Sequence, residues 1–366
     1  MKLRCERDTL VEALATASRA TASRGGALPV LSGVRLEVKG DQLLVAGSDL
    51  DLTIETSVGI SNGVDGVAVA PGRLVVDIVR SLEPGAVLFE ADEDKLQISS
   101  GRAHFSVMLY ASDDFPRLPV RSGEAVSVGV AEFAEAVRQV VPAAAGDDTR
   151  PMLTGVLLTS ESGTGLRMVA TDSYRLAKRE LPGTSVLSEG QKVLLPARAL
   201  NELQRILSSA DELTVRLGAT DAGFEVGQVV LTTRLIEGDY PNYNQLIPAH
   251  YPNRLTIGRE PLIEAVRRVR LLVKDATTPV RMALRPSGAE LSVNSQEVGQ
   301  ASEELDGKYE GAEGLTLGFN PAYLIDGLEA AGGEEITLEA LDALKPATIR
   351  PAGNEDYLYL LMPVRL

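Results

Sequence analysis

One pattern recurs three times along the chain at a spacing of 125 residues, and it limits the fold more than any other feature. The segments Ala70-Pro71-Gly72-Arg73-Leu74-Val75-Val76-Asp77-Ile78-Val79, Leu195-Pro196-Ala197-Arg198-Ala199-Leu200-Asn201-Glu202-Leu203 and Asn320-Pro321-Ala322-Tyr323-Leu324-Ile325-Asp326-Gly327-Leu328 align on their prolines. Each starts at Pro, continues with apolar residues at helical spacing, and gives way to a β-rich run such as Ala86-Val87-Leu88-Phe89-Glu90 or Glu335-Ile336-Thr337-Leu338-Glu339. Pro is tolerated in a first helical turn, where the missing N–H would lack a partner anyway. Each copy therefore reads as a Pro-started helix followed by a strand.

Two further features recur in the same order. Alternating apolar and polar runs around a Gly or Asp turn span 33–49, 155–172 and 280–294, the pattern of hairpin strands. Each unit opens with a helical period, at Thr9–Leu14, Phe133–Val137 and Leu262–Val266. Aromatic-Pro pairs, Phe115-Pro116 and Tyr240-Pro241, stand 125 apart near the unit ends, where Pro forces extended chain. The reading is an α+β chain of three repeated domains, 1–120, 121–250 and 251–366, each with two helices and antiparallel sheets.

Composition removes several classes of function. With 44% hydrophobic residues the chain has ample core material, so its charge of −15 does not imply disorder. One cysteine (Cys5), two histidines (His104, His250) and no tryptophan exclude a disulfide framework and any zinc site built from several Cys and His ligands. There is no phosphate-binding G-x-x-x-x-G-K-[ST] loop, no G-x-S-x-G elbow and no G-x-G-x-x-G after a strand. His104 and His250 read as structural histidines, and Asp113/Asp114 and Asp147/Asp148 as solvated turns. No catalytic residue, metal or cofactor is expected. Without a basic-then-apolar leader at Met1–Arg7 or a long apolar run, the expectation is a soluble, cytoplasmic protein with no membrane partner.

Charge is unevenly placed. The six helical stretches carry 12 basic against 11 acidic residues, so the acidity lies elsewhere. Arginines cluster on helices, as Arg73/Arg80, Arg198/Arg205 and Arg259, Arg267, Arg268, Arg270 with Lys274. An acidic chain does not bind nucleic acid indiscriminately, because it displaces few phosphate counterions, but a basic helical lining allows a local or topological contact. Domains of this size are roughly 35 Å across. Three in a triangle leave a gap of about 5 Å, whereas six in a hexagon leave about 35 Å. Only a head-to-tail dimer could encircle a duplex.

The chain resembles, from end to end, the beta subunit of bacterial DNA polymerase III, the sliding-clamp family. The matching motifs are Leu28-Pro29-Val30-Leu31-Ser32-Gly33, Gly47-Ser48-Asp49-Leu50, Val169-Ala170-Thr171-Asp172-Ser173-Tyr174-Arg175-Leu176-Ala177, Tyr240-Pro241-Asn242-Tyr243, Gly318-Phe319-Asn320 with Tyr323, and Leu361-Met362-Pro363-Val364-Arg365-Leu366. The resemblance implies the DNA clamp fold and a six-domain ring made by a homodimer, with helices lining the hole. It implies a non-catalytic processivity factor held topologically and non-specifically on double-stranded DNA. A clamp loader would place it there, and it would tether the DNA polymerase III alpha subunit, other polymerases and repair proteins through a linear clamp-binding motif.

Carried over by position, the family's peptide pocket would comprise Arg150, Leu153, Thr171, Tyr174, Arg175, Leu176, Pro241, Leu246, Asn320, Tyr323, Pro346, Leu360, Met362, Pro363, Val364 and Arg365. Such a set offers an apolar floor that Met can reshape, with Arg and Thr to fix polar groups. Arg24, Arg73, Arg80, Arg198 and Arg205 would face DNA, and Phe105 and Val107 would meet Leu271 and Leu272 across the dimer contact. Tyr174 stands where many members carry His, enlarging one wall. Asp147, Pro151 and Met152 replace an amide and aromatic residues that touch DNA in a well-known member, which argues against those contacts here. A clamp-like peptide-binding scaffold that does not encircle DNA is the alternative.

Overall fold

The computed structural model describes residues 1–22, 28–161, 165–207, 211–274, 278–295 and 297–366. Arg24 lies outside the described residues. Among those described there are six helices: α1 (Arg7–Ser18), α2 (Gly72–Ser81), α3 (Val130–Val140), α4 (Ala197–Leu207), α5 (Arg259–Val269) and α6 (Pro321–Ala331). They fall two to each sequence repeat. The chain forms two compact units, Met1–Val130 with Asn201–Leu235, and Ala131–Leu200 with Ile236–Leu366.

The first unit holds a five-stranded and an eight-stranded antiparallel sheet, the second a continuous twelve-stranded one. The first unit's helices α1 and α2 bury one face, as amphipathic spacing requires. Leu10, Ala13, Leu14 and Ala17 of α1 and Val75, Val76 and Val79 of α2 pack with Leu36, Val45, Phe89 and Ile98 of the sheets.

The recurring hairpins form where the alternation placed them. Gly33–Lys39 pairs with Gln42–Ser48, Gly155–Glu161 with Gly165–Thr171, and Val280–Arg285 with Gly288–Ser295. In the first, Lys39 faces Gln42 across a two-residue turn that Gly40 permits with φ +60°. The last strand of one repeat also joins the sheet of the repeat before it: Val229–Arg234 pairs with Leu52–Gly59, and Tyr357–Leu361 with Arg175–Leu181. This pairing explains why compact units and sequence repeats do not coincide.

The proline rule holds in full only for the third copy. Pro321 lies inside α6, and the Asn320 side chain caps that helix by accepting from the backbone N–H of Ala322 at 2.9 Å. Pro71 and Pro196 instead end the preceding strands, opposite Gly33 and Gly155, and the helices begin one residue later. A strand end tolerates the missing N–H equally well. The aromatic rings ahead of the linker prolines are anchored: Phe115 packs on Val30, Leu31 and Val69, and Tyr240 on the cluster around Leu157 and Leu358.

Strand Ala103–Met108 is the last strand of the five-stranded sheet. The sequence reading put both Phe105 and Val107 at the surface, but Phe105 is 37% exposed whereas Val107 is 5% exposed and belongs to the unit's core. The two share a face by strand alternation, and only the Phe105 end of that face reaches the surface. Leu271 is 80% exposed, and Leu272 is half-buried.

Candidate functional site

The site is built around the turn that links Gly165–Thr171 to Arg175–Leu181. Asp172 directs it. Its Oδ1 accepts from the backbone N–H of Tyr174 at 2.9 Å and of Arg175 at 3.0 Å, replacing main-chain acceptors with a carboxylate. Ser173 takes up φ +80°, and Thr171 locks the loop by donating its hydroxyl to the Arg175 carbonyl at 2.6 Å. The first repeat makes the same turn: Leu50 has φ +83°, and Asp49 Oδ1 accepts from the Leu52 N–H at 2.8 Å. The shared Asp therefore has a structural cause, the tight hairpin it nucleates. In the second repeat this turn lifts Tyr174 into solvent, 62% exposed.

Arg175 is the hub. Its Nε donates to Asp172 Oδ2 at 3.0 Å, its Nη1 pairs with Asp326 on α6, and its guanidinium lies 4.3 Å from the Tyr323 ring centroid. Burial alone would disfavour the charge. The Asp326 and Asp172 carboxylates, with the Tyr359 hydroxyl oxygen as a further acceptor, outweigh it and hold the guanidinium pKa above its ordinary value. Tyr323 also stacks against Tyr174, with centroids 6.4 Å apart. From below, the buried Tyr359 donates its hydroxyl to the Tyr323 carbonyl at 2.8 Å. Burial also raises the Tyr359 pKa, which keeps this donor protonated.

The chain's last residues close the other side. The Met362 N–H donates to the Tyr174 carbonyl and the Val364 N–H to the Gly318 carbonyl, both at 2.8 Å. A Cβ on Gly318 would lie 2.6 Å from the Val364 oxygen and 2.5 Å from Leu366, so glycine is what lets the segment approach. Leu176 and Leu360 pair across the strands and are buried in one cluster with Leu157, Val169 and Leu358. Leu153 is also buried, whereas Leu246 is 46% and Met362 36% exposed. Pro241 and Arg365 are exposed, and Asn320, Pro346, Pro363 and Val364 half-buried. Arg150 donates to the Ser173 hydroxyl at 2.7 Å.

The structure thus joins Arg150, Thr171, Tyr174, Arg175, Tyr323 and Met362 through direct contacts or the turn itself. Leu153, Leu176 and Leu360 form buried support beneath, and no hydrogen bond or ring contact ties Pro241, Leu246 or Pro346 to that group. Asp172, Asp326 and Tyr359, which hold Arg175, were not among the sequence-derived site residues. The signal for Asp326 was its place on the apolar helix α6; Tyr359 reads locally as an ordinary strand residue.

Of the arginines read as DNA-facing, Arg73, Arg80, Arg198 and Arg205 are all exposed on α2 and α4. Asp147 spends its carboxylate on the Thr149 N–H at 3.0 Å, and Met152 packs partly buried against the cluster under the site. Among the described residues no group of His, Cys, Asp and Glu could hold a metal ion. None of the described helices is long and apolar enough to cross a membrane.

A continuous antiparallel sheet here carries aromatic and Met side chains around an anchored arginine, on the architecture of a clamp subunit. The chain belongs to the DNA polymerase III beta subunit family: the models of its N-terminal, central and C-terminal domains match residues 1–119, 127–242 and 244–365. Its function is that of a sliding clamp, a non-catalytic processivity factor in DNA replication. The beta sliding clamp of Streptomyces coelicolor is 35% identical over 383 aligned residues that cover 100% of both chains. The clamp of Pseudomonas aeruginosa, solved bound to griselimycin, is 30% identical with a TM-score of 0.92 and 100% coverage of both chains. That of Bacillus subtilis is 29% identical with a TM-score of 0.92, covering 100% of this chain and 99% of the other.

Proposed function

We propose that the chain works as a head-to-tail homodimer around double-stranded DNA, with three domains per chain at 1–120, 121–250 and 251–366. A loader opens it, and it then tethers the polymerase III alpha subunit, other polymerases and repair proteins in the bacterial cytoplasm, on the nucleoid during replication. Two open strand edges support the dimer. Among the described residues, Ala103–Met108 has a neighbour on one side only, and residues 299–306 of the strand Gly299–Glu310 pair only with Gly288–Ser295. Exposed edges of this kind recruit another strand. Phe105 and Leu271 supply apolar surface beside them, and Val107 and Leu272 back it from within.

The observation that carries the peptide site is the exposure of Tyr174 and Met362 beside a rigidly held Arg175. A short linear peptide lays apolar side chains against these residues and Tyr323, while Arg150 at the rim meets its polar groups. Met362→Ala is expected to weaken a fluorescent clamp-binding peptide about tenfold, from the methylenes no longer covered. The dimer mass should not change. Unchanged peptide affinity would remove Met362 from the pocket.

A further inference from the structure

Arg350 lines an open cavity of about 710 Å³ in the second unit, with His250, Tyr251, Arg254, Glu339 and Glu355 around it. The cavity lies beside the strands Asn253–Gly258, Glu335–Ala340 and Ala347–Pro351. Their register sets its floor: Arg254 faces Glu339, Glu339 faces Thr348, and Thr337 faces Arg350, so these side chains share one sheet face.

On that face one guanidinium is left over. Arg254 gives its Nε at 3.0 Å and an Nη at 2.6 Å to the same Glu339 oxygen. Among the described residues, the Arg350 side chain has no ion pair and no hydrogen bond, and its Nε is buried without an acceptor. Arg7, Arg35, Arg167, Arg175, Arg216 and Arg259 are half-buried as Arg350 is, and each has a carboxylate at 3.0 Å or less. Arg179 is the other exception, and its charge still helps Arg138 hold the Glu135 carboxyl below its ordinary pKa. Withdrawing a guanidinium from water without an anion is unfavourable, and the chain has 51 acidic residues from which a partner could have come. Arg350 therefore stands ready for an anion from outside the chain.

The surroundings select the anion. Glu339 and Glu355 line the same cavity, so a single carboxylate meets less repulsion there than a doubly charged phosphate. The space exceeds what one carboxylate fills and suits a few residues of chain, for whose backbone Thr337 and Asn354 offer polar groups. We propose that this cavity binds an acidic peptide segment of a partner protein, with one side-chain carboxylate held by Arg350 in a two-bond fork. The site shares no residue with the group around Arg175 and does not depend on the peptide reading made for that group.

The chain's two histidines make the test local, because His250 lines the cavity and His104 lies in the first unit. Acetyl-tetraglutamate amide is titrated into the intact, histidine-labelled protein at physiological salt, which screens the repulsion of an acidic chain, and both imidazole resonances are followed by NMR. His250 should shift saturably and His104 should not. Arg350→Gln should weaken binding about tenfold, and Arg350→Lys, which keeps the charge without the fork, by less. Because Arg350 has no carboxylate to strand, Arg350→Gln should melt no lower than the unaltered protein. No shift at His250, a shift that Arg350→Gln leaves unchanged, or equal shifts at both histidines overturns the proposal. So does a lower melting temperature, which would mark Arg350 as structural. If acetate or inorganic phosphate binds as tightly as the peptide, the cavity takes a free anion and the acidic-peptide proposal fails.

Discussion

Arg175→Ala is expected to destabilise the second unit by about 3 kcal/mol and to abolish peptide binding. The arginine side chain is 10% exposed and the Asp172 side chain 12%, so removing the cation strands a carboxylate in a place water scarcely reaches. Asp326, 39% exposed, is the lesser liability because solvent can take over its charge. The binding loss follows from the same contacts. Without the guanidinium, Tyr323 loses its cation partner and the Asp172 turn loses its side-chain tie, so Tyr174 and Tyr323 no longer hold their stacked wall. Arg175→Lys is the informative companion. It restores the charge but cannot serve Asp172, Asp326 and the Tyr323 face together, so stability should recover in part and peptide affinity much less. Thermal unfolding and peptide titration on the three proteins check both statements.

Gly327→Ala should cost about 2–3 kcal/mol, an unusual penalty for adding one methyl group within a helix. A Cβ there would lie 2.4 Å from the Tyr359 ring, inside any contact distance, and the ring is held by its strand. Tyr359 sits in the strand Tyr357–Leu361, paired to Arg175–Leu181 on one side and Ala347–Pro351 on the other. Helix α6 would have to lift instead. Lifting it stretches the Tyr359 hydroxyl bond to the Tyr323 carbonyl, so weaker peptide binding should accompany the lower melting temperature. Ala322→Gly on the same helix, which removes an exposed methyl and lowers helix propensity alone, provides the comparison.

Much of this architecture is written locally, which is why it can be read from the chain alone. The Pro-started helices, the alternating hairpins and the Asp turn each depend on residues within a few positions of one another. Even there, the start of α2 and α4 shifted by one residue, because a proline suits a strand end as well as a helix start. What is not legible arises from long-range pairing. Asp326 meets Arg175 across 151 positions and Tyr359 meets it across 184, and no local pattern marks either. The division into two units is of the same kind: it follows from Val229–Arg234 and Tyr357–Leu361 joining the preceding repeat's sheet, a choice made by tertiary packing. Val107 shows the limit of strand periodicity. Alternation correctly put it on one face with Phe105, but which end of that face lies under neighbouring chain depends on the rest of the unit.

The central claim is that the hold on DNA comes from a closed ring of two chains, and the molar mass in solution tests it most directly. Light scattering at low micromolar concentration should give twice the 38.9 kDa of one chain. Six domains then enclose a hole wide enough for a duplex, and Phe105→Asp with Leu271→Asp on the same chain, which sets like charges opposite each other, should shift the mass toward one chain. A wild-type mass of 38.9 kDa would contradict the account, because three domains alone leave no passage for DNA and the chain would be a peptide-binding scaffold.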